Sequence, residues 1–79
     1  MNYTMKLNLN SIDKEYLLVR IMNRSSVPAE LSSGRWVVNP RSLLGVASLD
    51  LTKTVTLTLY DLDERLMDEI REAGLEVVE

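Results

Sequence analysis

Two stretches of this chain alternate apolar and polar residues with a period of two, and that pattern restricts the fold more than any other feature of the sequence. From Thr52 to Tyr60, Val55, Leu57 and Leu59 face one way while Thr54, Thr56 and Thr58 face the other. From Tyr3 to Leu9, the apolar Tyr3, Met5, Leu7 and Leu9 alternate with Thr4, Lys6 and Asn8. Successive side chains of a strand project to opposite faces, so each run describes a strand with one dry and one wet face. Strands of a parallel sheet buried between two helical layers would be apolar on both faces. The pattern therefore calls for an antiparallel sheet covered on one side only.

The covering elements can be read between these strands. Asn10 and Ser11 are good N-cap residues, Asp13 and Glu15 suit the positive end of a helix dipole, and Ile12, Tyr16, Val19 with Leu18, Ile21, Met22 recur at helical spacing, which predicts a first helix over Ser11 to Asn23. After Ser25-Ser26, the stretch Val27 to Leu31 alternates again, and Pro28 argues for an edge position or for the start of that strand. Ser32-Ser33-Gly34 reads as a turn into a third strand, Arg35 to Val38, making a hairpin. Asn39-Pro40 stops the chain and Ser42 caps a short second helix through Leu43, Leu44, Val46, Ala47 and Leu49. Gly45 inside it costs about 1 kcal/mol relative to alanine, which points to close packing or to an approaching partner. Asp61 or Asp63 caps a third helix marked by Leu62, Leu66, Ile70 and Ala73 and stopped by Gly74, and Leu75 to Glu79 forms a tail that either packs or frays. The order β-α-β-β-α-β-α gives an α+β fold, an open-faced sandwich whose four-stranded antiparallel sheet carries three helices on one face.

Composition narrows the chemistry. With 79 residues the chain suits one domain, residues 1–79, hiding about 60–65% of the surface that its unfolded form exposes. There is no histidine and no cysteine, which removes the commonest general base, the commonest transition-metal ligand, thiolate catalysis and disulfides. The formal charge of −3 and the scatter of the basic residues provide no field for a phosphate backbone, so a nucleic-acid partner is not expected. No run approaches the roughly 20 apolar residues of a membrane span and the first residues lack a leader pattern, so a cytoplasmic location without membrane contact is expected. The acidic residues Asp61, Asp63, Glu64, Asp68 and Glu69 lack the spacing of a calcium loop and read as a helix start with a solvated face, so neither metal nor cofactor is expected. Serine, lysine and carboxylates do not cluster into a nucleophile–base pair, and the sequence is read as that of a non-enzyme.

The segment Asn39-Pro40-Arg41-Ser42-Leu43-Leu44-Gly45-Val46-Ala47-Ser48-Leu49 resembles the regulatory-serine region of HPr, the histidine-containing phosphocarrier of the bacterial sugar phosphotransferase system, whose pattern is close to N-x-K-S-I-M-G-V-M-S-L. Chain length and element order agree with that family over essentially the whole domain. The resemblance implies an HPr-like open-faced sandwich, and it places Asn10, Ser11 and Asp13 where the family carries its phosphorylated histidine, in an H-A-R-P segment at the first helix. The histidine, arginine and proline are all missing here. Asp13 and Glu15 would moreover repel a dianionic phosphate, and a phospho-aspartate at Asp13 would need a magnesium-holding carboxylate cluster. The resemblance therefore implies a member with a degenerate carrier site, comparable in kind to catabolite-repression HPr.

What survives is Ser42, which matches the family's regulatory serine and which also serves as an ordinary N-cap. Arg41 stands beside it, within reach of a kinase or a partner. Leu43, Leu44, Val46 and Ala47 are more apolar positions than one face of a short helix can bury, and in the resembling family this surface meets partner proteins. Arg41, Leu43, Leu44 and Ala47 are thus the expected contact residues, toward a serine kinase or a transcriptional regulator. Ala47 departs from the larger apolar residue usual there and weakens the patch. The alternative is a structural or assembly module that forms a homo-oligomer through a free sheet edge near Pro28 or through the second helix. Trp36 reads as a core or rim residue on that edge strand, and the four methionines read as core filling.

Overall fold

The structure, a computed structural model, describes residues 2–77. Its elements are β1 (Tyr3–Leu7), α1 (Ile12–Asn23), β2 (Ala29–Ser33), β3 (Trp36–Val38), α2 (Leu43–Ala47), β4 (Val55–Leu59) and α3 (Glu64–Glu72). The four strands form one antiparallel sheet in the order β1-β4-β2-β3. The expected α+β open-faced sandwich is thus what the chain forms.

The period-two pattern explains the layering. Met5, Leu7, Leu31, Val55, Leu57 and Leu59 point to one side of the sheet and are buried, in register as Met5↔Leu57↔Leu31 across β1, β4 and β2. Leu18, Ile21 and Met22 of α1, Val46 of α2, and Leu66 and Ile70 of α3 complete the same cluster. The opposite side carries Thr4, Lys6, Glu30, Ser32, Thr56 and Thr58, all exposed or half-buried. No polar side chain among the described residues is buried, so the core carries no desolvation penalty of that kind.

Several boundaries differ from the sequence reading, each for a local reason. The hairpin turn is the two residues Gly34-Arg35, with Ser33 paired to Trp36, so Ser32 and Ser33 belong to β2 and not to the turn. Of these two residues only Gly34 has a positive φ, +60°, the requirement of the first central residue in a type II′ turn. Pro28 precedes β2 and its carbonyl accepts from the Tyr60 N–H, and β2 itself lies inside the sheet. The free edge is therefore β3, not the segment near Pro28. At the start of β4, Asp50 Oδ1 accepts from the Thr52 N–H and hydroxyl at 3.2 and 2.6 Å, which turns Thr52 out of the strand. β1 ends at Leu7 although Leu9 stays buried, and α2 ends at Ala47 because Ser48 closes it, its hydroxyl donating to the Gly45 carbonyl at 2.6 Å. Leu62 lies before α3 and is exposed instead of sharing that helix's apolar face.

Two open alternatives resolve. Asp63 is the cap of α3, accepting from the Leu66 N–H at 3.0 Å, and the tail packs as far as it is described. Leu75 is buried and Glu76 bridges to Leu7, with Asn8 N–H donating to the Leu75 carbonyl and Val77 N–H to the Lys6 carbonyl, each at 2.8 Å. Residues 78–79 of the expected tail lie outside the described residues.

Asp63 also accepts from the Ser25 hydroxyl at 2.8 Å, tying α3 to the loop after α1. The Leu66 N–H first, and the Ser25 hydroxyl second, hold its carboxyl below the ordinary range. A folded-state pKa below the unfolded one contributes stability that is complete above the unfolded value, about 3.9, and is lost as pH falls through the folded value. Urea titrations of wild type and Asp63→Asn should therefore diverge above about pH 4 and converge below it, because asparagine still caps a helix but carries no titrating group. Parallel curves across that range would assign the acid sensitivity to other carboxylates.

Candidate functional site

The geometry of α2 follows from its length. In a helix of five residues, Leu43 and Val46 are three apart and share the side toward the sheet, where Val46 is fully buried and Leu43 half-buried. Leu44 and Ala47 share the other side and are exposed, Leu44 to 86%. Gly45 allows α2 to lie close on β3. A Cβ there would sit 3.3 Å from the Val38 Cβ and 3.4 Å from the Asn39 carbonyl, so close packing against its own fold accounts for this glycine.

The first helix adds to the same surface. Its buried residues are Leu18, Ile21 and Met22, which leaves Ile12 and Tyr16, one turn apart on the opposite side, exposed to 67% and 52%. Asn23 continues that stripe along the helix, and its side-chain amide donates to the Val19 carbonyl at 2.8 Å and to the Arg41 carbonyl at 3.2 Å. Asn23 thus ties this side of α1 to the start of α2, and Ile12, Tyr16 and Leu44 are all exposed on the helical layer. In the sequence, Ile12, Tyr16, Val19 and Leu18, Ile21, Met22 both recur at helical spacing, without a sign of which set is buried. What separates Ile12 and Tyr16 from Leu18 and Met22 is their phase on the helix, since they fall on the side opposite Leu18, Ile21 and Met22.

Ser42 is the N-cap of α2, its Oγ accepting from the Gly45 N–H at 3.2 Å. Arg41 does not reach outward beside it. Its Nε and Nη2 donate to the Ser25 carbonyl at 3.2 and 2.6 Å, Nη2 donates to the Val27 carbonyl at 2.8 Å, and its own N–H is held by Asn39 Oδ1 at 2.9 Å. Three charge-assisted bonds make it a strut between the loop before β2 and the loop before α2. Its expected place in the contact surface thus gives way to a structural one, because carbonyls with no ladder partner lie within its reach.

At the start of α1, Asn10, Ser11 and Asp13 form an ordinary helix cap. Ser11 Oγ accepts from the Lys14 N–H at 3.2 Å, Lys14 Nζ lies 3.3 Å from Asn10 Oδ1, and Asp13 stands in the exposed first turn. A cleft of about 220 Å³ lies between α1 and α3, where Glu69 pairs with Arg24 at 2.9 Å and Arg65 at 3.8 Å, and Asp63 is satisfied as described. Its charges neutralise one another. Among the described residues no group of three acidic side chains is placed to hold a metal ion, and no helix is long and apolar enough to cross a membrane. No protein-family model matches the chain, and no curated protein matches it.

Replacing Arg41 tests its role as a strut. Arg41→Ala should destabilise the fold by about 1–3 kcal/mol in urea unfolding, since two carbonyls lose their donors, and Arg41→Lys should recover only part because one ammonium cannot reproduce the fork. A change below about 0.5 kcal/mol would return Arg41 to the surface.

Proposed function

We propose that this chain is a non-catalytic, HPr-like regulatory domain of the cytoplasm that binds a partner protein through α2 and the adjoining stripe of α1, carries no phosphohistidine, and is switched by phosphorylation of Ser42. The observation that carries the reading is Leu44, 86% exposed on a helix whose other leucine and valine turn inward. Ile12 and Tyr16 of the neighbouring α1 are exposed too, with the charged Asp13 and Arg20 toward the same side of that helix, and exposed apolar residues beside charges are the composition of a protein contact. The element order and the Ser42-to-Leu49 motif support the family reading, and the cap at Asn10, Ser11 and Asp13 supports loss of the carrier role.

Ser42 is suited to a switch because its hydroxyl is half-buried at the rim of this surface and its cap bond uses an oxygen lone pair. A phosphate there would add about two charges beside Leu44 and alter what the surface accepts. Arg41 is committed to the Ser25 and Val27 carbonyls, so the added charge would be read by the partner and not by this arginine. The partner classes that fit are a serine kinase and a transcriptional regulator.

Two measurements test the reading. Capture from a native cytoplasmic extract should recover a partner on wild type that Leu44→Glu loses, with unfolding of the variant within about 0.5 kcal/mol of wild type because the side chain is exposed. Incubation with an HPr-type serine kinase and ATP should add one phosphate at Ser42, located by mass spectrometry. Equal capture by the two proteins would remove the contact surface from the proposal, and an unmodified Ser42 would remove the switch.

A further inference from the structure

The two edges of the sheet are treated differently. The outer edge of β1 is covered by the tail, whose Leu75 carbonyl and Val77 N–H take the outward groups of Asn8 and Lys6. The outer edge of β3 has no such cover among the described residues. In a two-residue hairpin the flanking pair, here Ser33 and Trp36, exchanges both backbone bonds, and pairing alternates from there. Val37, opposite Ser32, therefore directs its N–H and C=O away from β2. Its neighbours make this edge apolar: Trp36 is 76% exposed on the helix side and Val37 is 56% exposed on the open side.

We propose that this edge is a homodimer interface, in which β3 of two copies pairs antiparallel about a two-fold axis at Val37. In that register Val37 exchanges two backbone bonds with Val37 of the second copy, and Trp36 lies across from Val38, an aromatic–β-branched pair of the favourable kind. Arg35 faces Asn39 instead of another arginine. Two chains of charge −3 repel, but the segment from Ser33 to Asn39 holds no carboxylate and one cation, so the copies can meet here without like charges in contact. Size decides the strength. Trp36 supplies roughly 150–200 Å² per copy, and a three-residue strand adds little more, which puts the interface below the roughly 1,200 Å² of stable complexes. A reversible dimer with Kd of about 10 μM to 1 mM follows. The interface uses the free edge of β3 and not the exposed Leu44 of α2, so it stands whether or not the functional proposal does.

Sedimentation equilibrium over that range tests it. The apparent mass of wild type should rise with concentration from 9.0 kDa toward twice that value. Val37→Pro removes an N–H that the fold does not use and should weaken association at least tenfold with an unchanged thermal melt. Trp36→Lys should do the same, and it tests the interface on its own if the proline variant fails to fold. A concentration-independent monomer overturns the proposal, including the case in which an extended segment of another protein occupies this edge. A dimer that survives in Trp36→Lys but dissociates in Leu44→Glu overturns it too, because it places the contact on α2.

Discussion

Every other element of this protein is arranged around β4. It is flanked by β1 and β2, and its Val55, Leu57 and Leu59 are fully buried while Thr56 and Thr58 between them are only partly covered. Burial on one side of a strand cannot be shared with a slipped register, since a shift of one residue would bring the threonines into the core. That requirement fixes the pairing with Met5 and Leu7 on one side and Leu31 on the other. It also fixes the side on which the helices lie.

A single helical layer over a small sheet has a limited footprint, and the surface of the protein follows from it. Leu18, Ile21 and Met22 fill the part of α1 above the sheet, so the opposite side of that helix meets water with whatever residues it carries. Those residues are Ile12 and Tyr16. The same limit acts on α2, which buries Val46 and exposes Leu44. Polar struts hold the layer in place, with Arg41 linking two loops and the Ser25–Asp63 bond linking α1's exit to α3. The proposed contact surface is thus apolar area left over by a core that is already full, on a framework made rigid nearby.

The elements and their order were legible because the strands alternate and the caps Ser11, Ser42 and the Asp63 option stand where helices begin. Positions that depend on neighbours distant in sequence were not legible. Pro28 suggested an edge or the start of a strand, and it lies just before β2, where a proline has no ladder bond to lose and says little about which strand is outermost. Arg41 looked like a surface cation because nothing local shows that the Ser25 and Val27 carbonyls come within its reach. Ile12 and Tyr16 recur at helical spacing just as Leu18, Ile21 and Met22 do, and which of the two sides of α1 faces the sheet is decided by packing with strands distant in sequence. At the candidate site, Arg41, Leu43, Leu44 and Ala47 were read as contact positions; Leu44 and Ala47 are exposed, while Leu43 and Arg41 are half-buried.

The proposed function is that of a domain that binds a partner protein and carries no phosphohistidine. The direct measurement is phosphorylation of the purified chain by the phosphoenolpyruvate-dependent kinase that serves the resembling family, followed by acid treatment. With serine, asparagine and aspartate at the cap of α1 and no imidazole in the sequence, no acid-labile phosphate should be acquired. An acid-labile label derived from phosphoenolpyruvate would contradict the account.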